Sequence, residues 1–343
     1  MSRAACLLLT CAVIWLPGCR GEECGSRTVT LVAVGDVLLA RGVAKQIDKH
    51  GADWLFDDTR DVLKGADLAF CNLECPLSTR GVPGKRRFLF RADPKHAAAL
   101  LSNGFDVVSL ANNHTLDYGR DAMLDTIEAV RKAGITPVGA GANKAEASRI
   151  QVVTRHGLRV GFVAYVDLPS YGVVTLPDKP GVAGVDSGSL PAEIRAAKKK
   201  CDALVVSFHW GVEYMKRPTE RQKKLARLCI DNGADLVLGH HPHVLQPVET
   251  YKGRPIAYSM GGFVWDGRVL GANKSAVYLF ELGKSSARLA KSIPIDIKGC
   301  RPSLRWHCRS RLQTANSGRD ACASGSGEPS YDPAFQLARF AGL

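Results

Sequence analysis

Five apolar, strand-like segments of this chain end in side chains that can bind a metal ion. In α/β proteins the carboxyl ends of the strands face one crevice, and rigid strands hold the residues that follow them in place. The donors here are carboxylates, carboxamides and imidazoles, with no thiolate, which predicts a pocket for one or two divalent metals. The segments, each with its donors, are Thr28–Val34 with Asp36, Asp67–Cys71 with Asn72 and Glu74, Asp106–Ala111 with Asn112, Asn113 and His114, Ala203–Phe208 with His209, and Ala234–Leu238 with His240, His241 and His243.

The sequence His241-Pro242-His243 is the strongest local signal. In an extended segment residues i and i+2 share a face, so both imidazoles can reach one centre. Pro242 has no amide hydrogen and stiffens the segment. His240 is expected to point the other way and to support the ligands.

The sequence Asn112-Asn113-His114 suits catalysis next to a metal, although a simple turn is an alternative. The Asn113 carboxamide oxygen can bind metal while His114 faces the substrate and donates a proton to a leaving alkoxide. Asn112 and Asp117 are expected to support this loop.

The remaining donors are less specific when taken singly. Asp36 alone would be a turn or cap residue, and Glu74 an ion-paired surface residue. His209 alone would be a core histidine, with Glu213 as a supporting residue nearby. Taken together, the donors suffice for two ions roughly 3.5–4 Å apart, and Mn, Fe and Zn all fit them.

The composition describes an ordinary globular chain with a basic balance. Of 343 residues, 45% are hydrophobic and 23% charged, and the formal net charge is +13. Such a charge suits an anionic partner, namely nucleic acid, lipid headgroups or a polyanionic polymer, and a solvated basic surface is an equal alternative.

The first 19 residues predict export. Arg3 precedes an apolar run from Ala4 to Leu16, which is too short to span a bilayer but typical of a signal-peptide core. The run ends in Leu16-Pro17-Gly18-Cys19, which resembles a lipobox, so Cys19 is expected to carry lipid on the outer face of a membrane. Secretion after simple cleavage is the alternative, since Pro17 is unusual in a lipobox.

Alternating strand and helix patterns over residues 28–297 predict one layered α/β domain. Helical periods cover Asp121–Lys132, Leu190–Lys200 and Thr219–Asn232, and a hairpin joins Ile150–Thr154 to Leu158–Tyr165. The following strands are expected at Val244–Glu249, Pro255–Ser259 and Ser275–Glu281. Asp167–Gly188 is expected to be a long loop near the pocket, and residues 298–343 a basic, poorly ordered tail.

The ordered set of motifs over residues 29–282 resembles the CapA/PgsA capsule-synthesis proteins, whose fold looks like the calcineurin-type metallophosphatases. The matching segments are Gly35-Asp36-Val37, Asn72-Leu73-Glu74, Ser109–Gly119, His209–Tyr214, Gly239–Val244 and Ile256–Ser259. The resemblance implies a two-sheet α/β/β/α sandwich of metallophosphatase type and a membrane-attached role in making or exporting poly-γ-glutamate capsule. It also implies capsule-synthesis membrane proteins as partners, no nucleic acid, and Asn113 rather than His114 as the ligand.

The chain departs from the metallophosphatase pattern at several positions. Leu38 stands where the first motif of metallophosphatases has His, and Glu74 replaces their bridging Asp. Gly262 stands where the capsule family usually has Asn. Three functions therefore stay open, namely a capsule-polymer protein with a metal-dependent hydrolase site, a phosphoesterase for an unrelated extracellular substrate, and a non-enzymatic scaffold that binds anionic polymer.

Overall fold

Two mixed β-sheets stacked face to face form the centre of the molecule. A computed structural model describes residues 27–168, 177–267 and 271–305. The strands are β1 (Val29–Val37), β2 (Leu68–Leu73), β3 (Val107–Ser109), β4 (Thr136–Val138), β5 (Ala140–Gly141), β6 (Gln151–Arg155), β7 (Leu158–Asp167), β8 (Gly181–Val182), β9 (Ala203–Trp210), β10 (Leu236–His240), β11 (Val248–Tyr251), β12 (Arg254–Ala257), β13 (Gly262–Val264), β14 (Lys274–Gly283), β15 (Ser286–Lys298) and β16 (Arg301–Leu304).

Helices cover the outer face of each sheet. They are α1 (Gly42–His50), α2 (Arg60–Lys64), α3 (Ala97–Ser102), α4 (Gly119–Lys132), α5 (Lys144–Ala147), α6 (Leu190–Lys198) and α7 (Glu220–Asp231). The larger sheet has the order β16-β15-β14-β1-β2-β3-β4, with β13 also paired to β1, and the second has the order β11-β12-β10-β9-β7-β6. Among the described residues, no helix is long and apolar enough to cross a membrane.

Strand β1 shows why the layers form. Successive side chains of a strand point to opposite faces of the sheet. Leu31 and Ala33 pack into a central cluster between the two sheets, whereas Val32 and Val34 pack under α1, α3 and α4. Strand β9 alternates in the same way between the central cluster and a third cluster under α6 and α7. This layering confirms the predicted α/β/β/α sandwich.

Most of the predicted elements are present close to their predicted bounds. The helix predicted from Asp121 is α4, and the predicted hairpin is β6 and β7, which pair antiparallel around His156 and Gly157. The predicted helix from Thr219 is α7. Its Thr219 side chain accepts a hydrogen bond from the Gln222 amide, while the Gln222 side chain accepts one from the Thr219 amide. This capping box fixes where the helix begins.

The predicted start of the tail is wrong. Strand β15 runs to Lys298, and β16 pairs antiparallel with it, so the larger sheet extends to Leu304. Gly299 and Cys300, both at positive φ, form the reversal between the two strands. Strand β16 is short and rich in polar residues, so its sequence shows no apolar pattern from which a strand could be predicted. Residues 306–343 lie outside the described part of the chain.

Two other predictions need adjustment. The strand predicted from Val244 is interrupted: Leu245 forms an isolated bridge with Met260, and β11 begins at Val248, after Pro247, which has no amide hydrogen to donate to a sheet. The predicted loop Asp167–Gly188 has residues 169–176 outside the described ranges. Its described part contains β8, which pairs with β5 and packs beside β7 as a wall of the domain.

The backbone at Gly35 leaves no room for a side chain. A Cβ at this position would lie 1.8 Å from the Gly261 carbonyl oxygen, which accepts the Asp36 amide at 3.0 Å. We expect Gly35→Ala to lower the free energy of unfolding by about 1–3 kcal/mol, as a shift of the urea midpoint. Gly188→Ala, where the nearest atom is 3.4 Å away, is the control and should change stability by less than about 0.5 kcal/mol. Equal midpoints for both variants would contradict the close approach.

Candidate metal centre

The larger sheet places two carboxylates at the ends of neighbouring parallel strands. Asp36, near the end of β1, lies opposite Asn72 of β2, and Glu74 follows two residues later. The Asn72 amide nitrogen donates to Asp36 Oδ1 at 2.8 Å and to Glu74 Oε2 at 3.3 Å, and it lies 3.3 Å from His209 Nδ1. Asn72 therefore connects three predicted donors. The sequence signalled it only as part of the strand-end motif.

The second sheet supplies the imidazoles. His209 of β9 pairs with His240 of β10, and His241 and His243 follow at the strand end. The segment is not extended as predicted, because His241 has a φ of 94° and His243 a φ of 56°. Such left-handed residues persist only where the surroundings hold them. Here the Tyr214 amide donates to the Pro242 carbonyl at 2.8 Å.

One buried carboxylate oxygen is surrounded by imidazole nitrogens. Glu74 Oε1 lies 3.7 Å from His243 Nε2, 3.9 Å from His209 Nε2 and 4.0 Å from His114 Nε2. Within the described chain no hydrogen-bond donor satisfies this oxygen. The distances are too long for hydrogen bonds. They suit donor atoms that share an ion, because each donor then lies about 2.0–2.2 Å from the metal.

Two sets of donor side chains meet the geometric requirement for a metal ion. Asp36, Glu74 and His209 form one set, with their ligand atoms within 4.8 Å of one another. Glu213, His241 and His243 form the other, within the same distance. Glu213 was expected only to support the ligands, but its exposed carboxylate takes part in this second set, because the turn after β9 brings it beside the two histidines.

The electrostatics of the first set favour a bound cation. Burial, followed by the neighbouring Asp36, raises the pKa of Glu74 well above its usual range. Burial would also raise the pKa of Asp36, but hydrogen bonds with His240 and His243 outweigh it and hold that pKa well below its usual range. A second buried carboxylate beside Asp36 becomes a stable anion only when positive charge is added.

The imidazoles are held in the form that binds metal. Burial, with His241 as the next contribution, lowers the pKa of His209 well below its usual range. Burial and the neighbouring His243 lower the pKa of His241 to about 3. Both rings are therefore neutral near pH 7, and a neutral imidazole nitrogen is the ligand that metals need.

His114 is oriented on three sides. Its Nδ1 lies 2.7 Å from Asp117 Oδ2, its ring stacks on Phe90 at 3.9 Å, and its backbone amide donates to Asn112 Oδ1 at 3.0 Å. These contacts direct Nε2 toward Glu74. Asn112 and Asp117 thus take the supporting positions that were expected of them.

Asn113 faces the same centre from the other side of the loop. Its Oδ1 lies 2.8 Å from His209 Nε2, so the carboxamide oxygen and the imidazole nitrogen converge. The Arg86 guanidinium donates to the Asn113 carbonyl, which ties the loop after β3 to the basic segment before Phe90. Sequence reasoning missed Arg86 because nothing local in the chain indicates this contact.

His240 lies behind the donors. Its Nδ1 is 3.4 Å from Asp36 Oδ1, and its ring centroid is 5.9 Å from that of Phe70. The side chain is fully buried beside the Asp36 carboxylate. Trp265 likewise packs against one of the donor side chains, since its ring stacks on that of His243 at 4.0 Å. No sequence pattern pointed to Trp265.

A cavity of about 740 Å³ opens over the centre. His114, His243 and Glu213 form its floor near the donors, and Phe90 and Trp265 line it as well. The other lining residues are Arg41, Gly42, Lys45, Gln46, Phe88, Tyr214, Asp266, Gly267 and Cys300. A substrate in this cavity would reach both His114 and the donor side chains.

Comparison with known proteins agrees with the sequence motifs. The family described as bacterial capsule synthesis protein PGA_cap matches residues 30–267. The chain is 33% identical over 273 residues to the PGA biosynthesis protein CapA of Bacillus subtilis, covering 79% of this chain and 72% of that protein. It is 34% identical over 292 residues to a probable polyglutamine synthesis accessory protein of Mycobacterium tuberculosis, covering 72% of this chain and 77% of that one.

Solved structures that align with the chain include a putative 5'-nucleotidase from Staphylococcus aureus. It has a TM-score of 0.49 and 13% identity, and the alignment covers 84% of this chain and 58% of the nucleotidase. A hypothetical protein from Thermus thermophilus aligns with a TM-score of 0.48 and 16% identity, covering 77% of this chain and 97% of that chain.

The fold is a two-sheet α/β/β/α sandwich with two sets of metal-binding side chains at the ends of its strands. The chain belongs to the bacterial capsule synthesis family PGA_cap. Its departures from the metallophosphatase pattern have structural counterparts. Leu38 is fully buried in the core under the helices and offers no donor, and Gly262 pairs with Asp36.

Replacing both His241 and His243 by Ala should remove most of the bound divalent metal. The two imidazoles belong to one donor set, and His243 also lies beside Glu74 in the other. Metal content per chain, measured by mass spectrometry of the purified protein, checks this. His50→Ala, on the surface of α1, is the control and should keep full metal content. Unchanged metal in the double variant would exclude these ligands.

Proposed function

We propose that this protein acts in the biosynthesis or export of a poly-γ-glutamate capsule and carries a divalent-metal hydrolase site. Its family and the names of its relatives support the capsule role. The observation that carries the hydrolase site is Glu74 Oε1, a buried carboxylate oxygen without a donor and with three imidazole nitrogens at 3.7–4.0 Å.

Seven side chains would hold the metal. They are Asp36, Glu74, Asn113, His209, Glu213, His241 and His243. A divalent ion bound there would supply Lewis-acid activation of water and stabilise negative charge on an acyl or phosphoryl oxygen. Imidazole and carboxylate donors suit Mn, Fe or Zn, and one or two ions fit the two donor sets.

His114 would donate the proton to the leaving atom. Asp117 Oδ2 fixes the Nδ1 side of the ring at 2.7 Å, which leaves Nε2 to face the cavity. Phe90, stacked on the ring, limits its rotation. Asn112 holds the backbone of the loop, so the proton is delivered from a fixed position.

A phosphoesterase acting on an unrelated extracellular substrate is the second candidate. The same donor set suits phosphoryl oxygens as well as acyl oxygens, so the donors do not separate the two substrates. A scaffold that only binds anionic polymer is the third candidate. It would not need a buried set of neutral imidazoles and carboxylates, whose desolvation costs several kcal/mol per ion.

Cys19 lies outside the described residues, and its lipidation is part of the proposal. An anchor there would hold the protein on the outer face of a membrane. Cys19→Ser should move the protein from the membrane fraction to the soluble fraction, as measured by fractionation and immunoblotting. Mass spectrometry of the wild-type N-terminus should show acyl chains on Cys19. A wild-type protein that is soluble and unacylated would exclude the lipid anchor and favour secretion after simple cleavage.

His114→Ala should retain metal and lose turnover by roughly 10²–10⁴-fold, the range of general acid catalysis. The assay is hydrolysis of poly-γ-glutamate and of phosphoesters by the metal-loaded protein. The loss should shrink for substrates with a good leaving group, which need no proton. His50→Ala again serves as the control.

Three results would count against this assignment. Metal loss in step with activity would make His114 a ligand. Normal turnover by His114→Ala would exclude its role as the acid. Absence of any turnover by metal-loaded wild type on both substrate classes would overturn the hydrolase site and favour the scaffold.

A further inference from the structure

Arg41 has a backbone conformation that favours glycine. Its φ is 59° and its ψ is −124°. For a residue with a side chain, such a conformation costs on the order of 1–3 kcal/mol and tends to occur at functional sites. Glycine at this position would avoid the strain. The backbone turn therefore does not explain why the chain has an arginine here.

The surroundings hold Arg41 in place. Asp266 Oδ2 accepts a hydrogen bond from the Gly42 amide at 2.8 Å and lies 3.3 Å from Arg41 Nε. The guanidinium carbon lies 5.3 Å from the ring centroid of Phe90 and 5.5 Å from that of Phe88. The contact with Asp266 is made through Nε, so the terminal amino groups can serve a ligand.

This guanidinium is close to the proposed acid. Arg41 contacts Phe90, and the same ring stacks on His114 at 3.9 Å. Arg41 and His114 also line one cavity. A molecule that reaches His114 can therefore place a neighbouring group against Arg41.

Lys45 adds a second positive charge to the same wall. It lies in the first turn of α1, four residues after Arg41, and it lines the same cavity. No acidic side chain in the described part of the chain lies within ion-pair distance of Lys45. Its ammonium group is therefore available to a ligand.

We propose that Arg41 and Lys45 form an anion-binding subsite of the cavity, which takes a side-chain carboxylate of an acidic polyamide while the adjoining amide bond lies at His114 and the donor side chains. This assignment rests on the proposed function for its substrate. A planar guanidinium fork matches a carboxylate in two parallel hydrogen bonds, and a lysine adds an unpaired charge beside it.

Binding of short labelled γ-linked glutamate oligomers, measured by fluorescence anisotropy on the full, metal-loaded protein, tests the subsite. Arg41→Gly should weaken binding on the order of 10–100-fold, the value of charge-assisted hydrogen bonds. Its thermal midpoint should stay the same or rise, because glycine relieves the strained backbone. Lys45→Ala should weaken binding less, by about 3–10-fold. Metal content should not change in either variant.

Lys49→Ala is the matched control, since Lys49 lies one turn further along α1 and does not line the cavity. Its effect should stay within about two-fold, as for a screened surface charge. A γ-linked isoglutamine oligomer, which has the same backbone with each free α-carboxylate replaced by a neutral carboxamide, should bind weakly to wild type and should not respond to Arg41→Gly.

Several results would overturn the subsite. These are wild type that does not bind the glutamate oligomer, Arg41→Gly that binds it like wild type, or an equal loss with the isoglutamine oligomer. Tighter binding of a glycerol-phosphate oligomer, with the same dependence on Arg41, would show that the subsite takes a phosphate rather than a carboxylate. The assay needs no turnover. If neither wild type nor any variant hydrolyses a substrate, while Arg41→Gly still weakens binding, the hydrolase proposal fails and the subsite stands.

Discussion

Two buried carboxylates at the ends of adjacent strands are the constraint on which the rest of the site depends. Asp36 and Glu74 are both fully buried, and each raises the cost of charging the other. Asn72 and His243 form hydrogen bonds with the Asp36 carboxylate, whereas Oε1 of Glu74 has no donor in the described chain. A cation is the simplest group that would balance this arrangement, and the neutral imidazoles around it are the ligands a cation needs.

The hydrophobic packing of the sandwich offsets the free-energy cost of that arrangement. Three hydrophobic clusters, one between the sheets and one under each helical layer, supply the stability. Outside the hairpin turns, the described non-glycine residues with positive φ are found at the cavity, namely Arg41, Tyr214 and His243, with His241 beside them. Strain of this kind survives only in a rigid frame, and the parallel strands β9 and β10 provide one on the histidine side.

The fold and most donors were predictable because both follow from local patterns. Apolar strands that end in Asp36, Glu74 and His209 indicate a crevice whichever way the sheets are arranged. Long-range packing, by contrast, determined what the sequence could not show. Glu213 joins a donor set only through the turn after β9, and Phe90 and Trp265 meet their histidines from distant segments. The pair His241 and His243 falls in one donor set, but its prediction assumed an extended backbone that the structure does not have.

The same packing explains how the chain departs from the metallophosphatase pattern and still keeps two donor sets. Leu38 belongs to the core under the helices, so the end of β1 contributes only Asp36. The second set is built instead from Glu213, His241 and His243, all of which follow strands of the second sheet. Its carboxylate is exposed, whereas Asp36 and Glu74 are buried. Because Glu213 and His243 line the cavity together with Arg41 and Lys45, an ion held there would face the cavity directly.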